Sequence, residues 1–252
     1  MKEAPALRPV ELLRILWRSL FIQATWNYER MQSLGYCFAL IPFVQKLFDA
    51  AECKRFLRRN LEFFNTHPYM VGFLLGATMN LEYTARRENL RFDEINRLRK
   101  RLSESSAGIG DQLFWRYLKP VSAIVGVLLC FHSPVWGLVA FLSLYNLPHF
   151  YVRVVGLQEG IARGVDVVQS LTLQRFRKVF GVLKRAAAFA SGLLLVVAGS
   201  RFGPRLGEET LAFSVALLVT VLLLRRNVAV PAILLLLVAA LLTSGLVLAL
   251  EQ

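Results

Sequence analysis

A chain of 252 residues that is 56% hydrophobic, with mean hydropathy +0.49 and formal net charge +13, is too apolar for an ordinary soluble domain and belongs with membrane proteins. The basic excess argues against a nucleic-acid binder, because it is unevenly spread: KRFLRR (54–59) and RLRKR (97–101) lie in the first half, and beyond Arg185 only Arg201, Arg205, Arg225 and Arg226 follow. An asymmetric excess of Lys and Arg is what a membrane protein retains on its cytoplasmic side. Cys37, Cys53 and Cys130 are odd in number and form no CxxC pair, so neither a disulfide framework nor a metal site is expected.

Arg8, Glu11, Arg14 and Arg18 interrupt any cleavable leader. ELLRILWRSLFIQ (11–23) instead has the spacing of an amphipathic helix lying on a membrane or a partner. The next stretch, IQATWNYERMQSLGY (22–36), is unexpectedly polar. Placed on a helix, Gln23, Asn27 and Arg30 share a face beside Trp26 and Glu29, with Gln32 near the opposite side. Amides donate and accept like sugar hydroxyls, carboxylates accept strongly, and an aromatic face suits the C–H face of a pyranose. The same residues also fit a purely structural network that pins helices together, with Glu29 paired to Arg30 or Arg18.

YCFALIPFVQKLF (36–48) and PYMVGFLLGATMNL (68–81) are too short to span comfortably and read as re-entrant or buried segments. Between them, EFFNTHPYM (62–70) offers Thr66 or His67 as cap for a helix starting at Pro68; Asn65 and His67 are also candidates to face a polar cavity. Residues 85–105 read as a solvated cytoplasmic helix. In AGIGDQLFWRYLKP (107–120), Gly108 and Gly110 permit close backbone approach, and Asp111 is placed to N-cap the next helix. No Lys-Ser/Thr follows at phosphate-loop spacing.

From Lys119 onward the sequence predicts several membrane helices. Pro120–Val152 carries no formal charge and is broken by FHSPVWG (131–137) into helices at about 119–131 and 134–152, the first too short to span alone. Ala186–Ser200, Leu211–Leu224 and Val228–Leu250 are further candidates. The division expected is 1–118, carrying the amphipathic helix, the polar motifs and the charged segment, and 119–252, a transmembrane helical half. The fold class is an all-α integral membrane protein, with an amphipathic N-terminal helix and short or re-entrant hydrophobic segments preceding the spans. No enzyme signature is present, and no catalytic residue, cofactor or metal ligand is assigned.

Four stretches carry a family resemblance. WNYERMQSLGYCFAL resembles a signature of the IID component of mannose/fructose/sorbose-type phosphotransferase systems. LEFFNTHPY, GIGDQLFWRYLKPVSAIVG and YNLPHFYVRVVGLQEGIARGVDVV (145–168) resemble that family's following motifs, in order, over roughly residues 11–170. The resemblance implies a non-enzymatic permease subunit in the inner, or cytoplasmic, membrane, multi-pass with its N-terminus cytoplasmic. Its implied partners are a IIC membrane subunit, in a trimer of IIC–IID pairs, and cytoplasmic A and B phosphocarriers that bear the phosphohistidines. A hexose would move inward to be phosphorylated; no nucleic acid is involved. By motif, the implied substrate-binding residues are Gln23, Trp26, Asn27, Glu29, Arg30, Gln32, Asn65, His67 and Asp111. Two departures, SESSAG (103–108) with Glu104 before GIGD and a short divergent tail, leave a second reading: a degenerate paralogue acting as a membrane-bound regulatory subunit without transport.

Overall fold

The computed structural model describes residues 7–88 and 92–202. The candidate spans Leu211–Leu224 and Val228–Leu250 lie outside the described residues. The chain divides into two units, Met1–Ser191 and Gly192–Gln252, and the motifs all belong to the first.

The described residues are helical: α1 Pro9–Ser19, α2 Ser33–Leu47, α3 Ala50–Asn60, α4 Val71–Glu88, α5 Phe92–Gly110, α6 Lys119–Cys130, α7 Pro134–Arg163, α8 Val167–Ser170 and α9 Leu173–Phe202. A π-helical stretch, Asp111–Leu118, joins α5 to α6 without a break. Two segments, Ile95–Cys130 and Pro134–Arg163, are long and apolar enough to cross a bilayer, and little of the apolar stretch of each is buried within the protein. A soluble core helix would be covered by protein; these present their apolar surface outward, as lipid-facing helices do.

The helix expected at 119–131 therefore begins some 25 residues earlier than the sequence suggested. The cause is local. Gly110 keeps helical dihedrals and is not a terminus, so Asp111 continues the helix instead of capping it. The Lys119 N–H reaches back five residues to the Phe114 carbonyl. This register change sits directly before Pro120, which has no N–H to offer either register. The helix expected at 134–152 runs on to Arg163, where Gly164, at φ +55°, ends it.

α4 is the centre of the first unit, and its seam with α7 is made of glycines. Gly72 and Gly76 on α4 face Gly156 and Gly160 on α7, each pair at i, i+4. A Cβ on Gly160 would sit 2.5 Å from the Phe73 carbonyl oxygen, and one on Gly76 would sit 2.6 Å from the Ile161 nitrogen. Small residues at this spacing let two backbones touch. The Asn80 amide then donates to the Ile161 carbonyl at 2.8 Å.

Beside this seam and its apolar packing, α4 is tied to its neighbours by polar contacts. The Tyr36 hydroxyl on α2 meets Thr78 Oγ1 at 2.6 Å and the Leu74 carbonyl at 3.2 Å. Arg59 Nη2 on α3 contacts both oxygens of buried Glu82, at 3.1 and 2.9 Å. Burial pushes the Glu82 carboxyl up, against the opposing pull of Arg59. The stretch at 85–105 is less solvated than its charge suggested: Arg99 is buried and donates to Asn60 Oδ1 and to the Arg59 carbonyl. These two acceptors and the charge of nearby Glu82 offset part of the cost of taking this cation out of water.

Candidate functional site

The three polar motifs meet around the segment that leads into α4. Residues 22–32 are not helical, contrary to the sequence expectation. Asn27 explains the difference. Its side-chain Oδ1 accepts from the Arg30 N–H at 2.9 Å, and its backbone exchanges hydrogen bonds with Met31, at 2.9 and 3.3 Å. A side chain that satisfies the local backbone in this way competes with the helix ladder. The loop closes with Met31 at φ 54°, the left-handed region that costs a non-glycine residue about 1–2 kcal/mol. Strain of this kind persists where surrounding contacts fix it. Here the Gln32 N–H donates to the Phe64 carbonyl at 2.9 Å, and the Phe64 N–H to the Arg30 carbonyl at 3.3 Å.

That pairing sets the 22–32 loop against the NTHPY segment. Gln32 is buried, and its Oε1 accepts from the Thr66 N–H at 3.2 Å. Asn65 is exposed, but its carbonyl accepts from the Ser103 hydroxyl. Thr66 Oγ1 donates to the Ser103 carbonyl at 3.4 Å. Ser103, the first serine of SESSAG, thus faces the motif loop, while Glu104 is exposed.

His67 stands at the centre. It caps the short 3₁₀ turn Pro68–Met70 as expected, with Nδ1 accepting from the Tyr69 N–H at 3.3 Å. The ring is 1% exposed. It stacks on Phe114 at 5.2 Å and lies 4.7 Å from Trp115 and 5.1 Å from Tyr69. A side chain on Gly110 would run into it, so the second glycine of GIGD is what admits it. Burial, then the charges of Arg153 and His149, push its pKa down to about 4, which makes it a neutral imidazole at physiological pH. Since Nδ1 accepts, the proton belongs on Nε2. That buried Nε2–H has no hydrogen-bond partner within the protein.

The remaining sequence candidates form the open end of the loop. Gln23, Trp26, Glu29 and Arg30 are exposed, and Asn27 is half-buried. Trp26 packs edge-on against Tyr28 at 4.7 Å, and Glu29 pairs with Arg30 at 3.4 Å. Asp111 is exposed, one residue beyond the glycine that touches His67. The structure thus gathers Gln32, Asn65 and His67 beside the start of the π stretch. Gln23, Trp26, Asn27, Glu29 and Arg30 lie on the exposed limb of the same loop.

Sequence reasoning missed the fourth contributor, α7. Tyr69 stacks on His149 at 4.2 Å and meets Tyr145 at 5.9 Å. Arg153, 3% exposed, donates to the Ser19 carbonyl at 2.6 Å, Ser19 Oγ at 2.9 Å and the Pro68 carbonyl at 3.0 Å. It ties the end of α1 and the turn after His67 to α7. The signal was available: Arg153 is the first formal charge after Lys119, and an ionisable residue inside an apolar span is a candidate for a special role. Among the described residues no group of three or more His, Cys, Asp or Glu could hold a metal.

The sequence model of the PTS system mannose/fructose/sorbose family IID component matches residues 6–197. The chain is 35% identical over 161 residues to the PTS system mannose-specific EIID component of Escherichia coli K12, covering 62% of this chain and 56% of that protein. It is 30% identical over 197 residues to the fructose permease IID component of Bacillus subtilis, covering 77% and 72%. The chain thus spans only about half the length of the E. coli relative. A cryo-EM structure of the mannose transporter ManYZ in complex with microcin E492 contains a chain that superposes with a TM-score of 0.60 at 25% identity, over 97% of both chains.

Proposed function

The chain belongs to the mannose/fructose/sorbose family of phosphotransferase IID components, and from that premise we propose that it is a non-enzymatic permease subunit of a sugar translocator in the cytoplasmic membrane. It works with a IIC subunit, in a trimer of such pairs, to move a hexose inward for phosphorylation on cytoplasmic A and B components. Its N-terminus faces the cytoplasm. The observation that carries this reading is the junction of three polar motif loops around His67, whose buried Nε2–H has no partner within the protein. An unpaired buried donor costs about 1–3 kcal/mol, and a sugar hydroxyl is a suitable acceptor.

The roles divide by depth. His67 supplies a fixed donor at the inner end, and Gln32 and Thr66 hold its segment against the 22–32 loop. Trp26, Asn27, Glu29 and Arg30, with Gln23, supply an aromatic face and polar groups at the open end; Asn65 and Asp111 border the same region. Microcin E492 accompanies the transporter of the superposed structure; nothing in the residues above assigns that ligand to this chain.

The experiment is uptake of labelled hexose in cells that lack their own mannose-type system, with and without this chain beside its cognate IIC. Uptake that requires both chains supports the proposal. Unchanged uptake, with altered expression of phosphotransferase genes, would instead identify a membrane-bound regulator.

A further inference from the structure

The groove between α1 and α2 is unlike the site around His67. It has a volume of about 730 Å³, with Leu13, Trp17 and Pro42 on its apolar side and Arg14, Arg18 and Lys46 on its basic side. Its frame is an ion pair. Glu11, almost fully buried, accepts from Lys46 Nζ at 2.7 Å and from the Arg8 side chain at 3.0 Å, and so fastens α1 to α2. Lys46 and Arg8 have carboxylate partners, whereas Arg14 is exposed. Arg18 donates one N–H to the Phe38 carbonyl at 3.2 Å and lies 4.6 Å over the Phe38 ring; a guanidinium has five such donors.

α1 is also turned unusually. Val10, Leu13, Trp17 and Phe21 recur at helical spacing, and they are the exposed side: Leu13 is 67% and Trp17 63% exposed. In water this face would be a liability. In a chain with two membrane-length apolar helices it is an interfacial face, with Trp17 as the kind of residue that sits at headgroup level. A ligand that fills this groove must carry an anion and a hydrocarbon tail together.

From this pairing we infer that the α1–α2 groove is a binding site for an anionic phospholipid. Its headgroup phosphate is held by Arg14 and Arg18, and its acyl chains run along Leu13 and Trp17. Charge complementarity with the adjoining apolar face selects this occupant over a zwitterionic lipid, which brings no net charge, and over a free anion, which leaves the apolar side uncovered. The inference does not depend on transport.

The test uses the full chain, extracted with whatever membrane subunit accompanies it and placed in nanodiscs. Spin-labelled phosphatidylglycerol and phosphatidylcholine report the immobilised lipid fraction. The wild type is expected to prefer phosphatidylglycerol, and Arg14→Gln with Arg18→Gln to weaken that preference by about fivefold per cation removed. Arg97→Gln, an exposed cation on α5 outside the groove, is expected to change nothing. A wild type with no preference, a preference untouched by the double substitution, or one lost equally in Arg97→Gln would overturn the assignment. So would displacement of the labelled lipid by inorganic phosphate at constant ionic strength, or photocrosslinking from position 13 to a protein and not to lipid.

Discussion

The two halves of α7 obey opposite rules. From Val135 to Tyr151 the helix points Val135, Trp136, Leu138, Leu142, Leu147 and Tyr151 outward. From His149 to Gly160 it turns glycines, a histidine and an arginine toward the protein. In a soluble protein the large apolar side chains would mark the core. In lipid no hydrophobic gain comes from burying them, so association rests on close backbone packing and hydrogen bonds. The least oily half of α7 is therefore the half that specifies the fold.

The strongest way to break this contrast is at the glycine seam. Gly160→Val or Gly76→Val forces a side chain into the opposing backbone. Overpacking typically costs about 1–3 kcal/mol, and backbone cannot yield as a side chain can, so little intact protein is expected by fluorescence-detected size exclusion. Arg153→Met comes next. It leaves the Ser19 and Pro68 carbonyls without their donor, at about 1–3 kcal/mol for each stranded group. A Tm well below wild type is expected in detergent, with Arg153→Lys recovering part of it. A wild-type Tm in Arg153→Met would refute the structural role of that half.

The α1–α2 ion pair gives a smaller, pH-dependent effect. The Lys46 ammonium, with Arg8, holds the Glu11 carboxyl down at about 2 from an ordinary 4.5. A lowered carboxylate pKa stabilises the fold above the unfolded value, and the contribution is lost as pH falls through the folded one. The Tm gap between wild type and Glu11→Gln is therefore full above pH 4.5 and closes as pH drops toward 2. A gap that widens on acidification would contradict the assignment. The smallest effect belongs to the outward half of α7, where Leu142→Val should leave Tm unchanged within about 0.5 kcal/mol equivalent.

This contrast also explains which parts of the molecule the sequence revealed. The motifs and their order were legible because NTHPY, WNYERMQ and GIGD are dense in residues with few substitutes: a Pro after a cap, a Gly admitting a ring, an Asn that closes a turn. The all-helical membrane fold followed from composition. The conformation of 22–32 did not, because helical spacing is blind to a side chain that bonds its own backbone, as Asn27 does. The continuous helix through Gly110 and Pro120 was hidden by two residues that usually interrupt helices. The seam was written plainly as Gly72-xxx-Gly76 and Gly156-xxx-Gly160, yet hydropathy gave it no weight. Arg153 was visible as a charge, but its partners at Ser19 and Pro68 lie 134 and 85 residues away.

The central claim is that the junction of the three motif loops contacts sugar. The direct measurement is hexose uptake per assembled IIC–IID complex for Trp26→Phe, Asn27→Ala, Glu29→Gln and His67→Phe, with complex abundance quantified in the same membranes. Asn27→Ala and His67→Phe also remove the acceptors for the Arg30 and Tyr69 N–H groups, so Trp26→Phe and Glu29→Gln, whose side chains are exposed, carry most of the weight. Apparent affinity is expected to weaken by about 5- to 150-fold at unchanged abundance. Equal uptake per assembled complex in all four variants, with any loss confined to abundance, would reduce the junction to a structural device and contradict the claim.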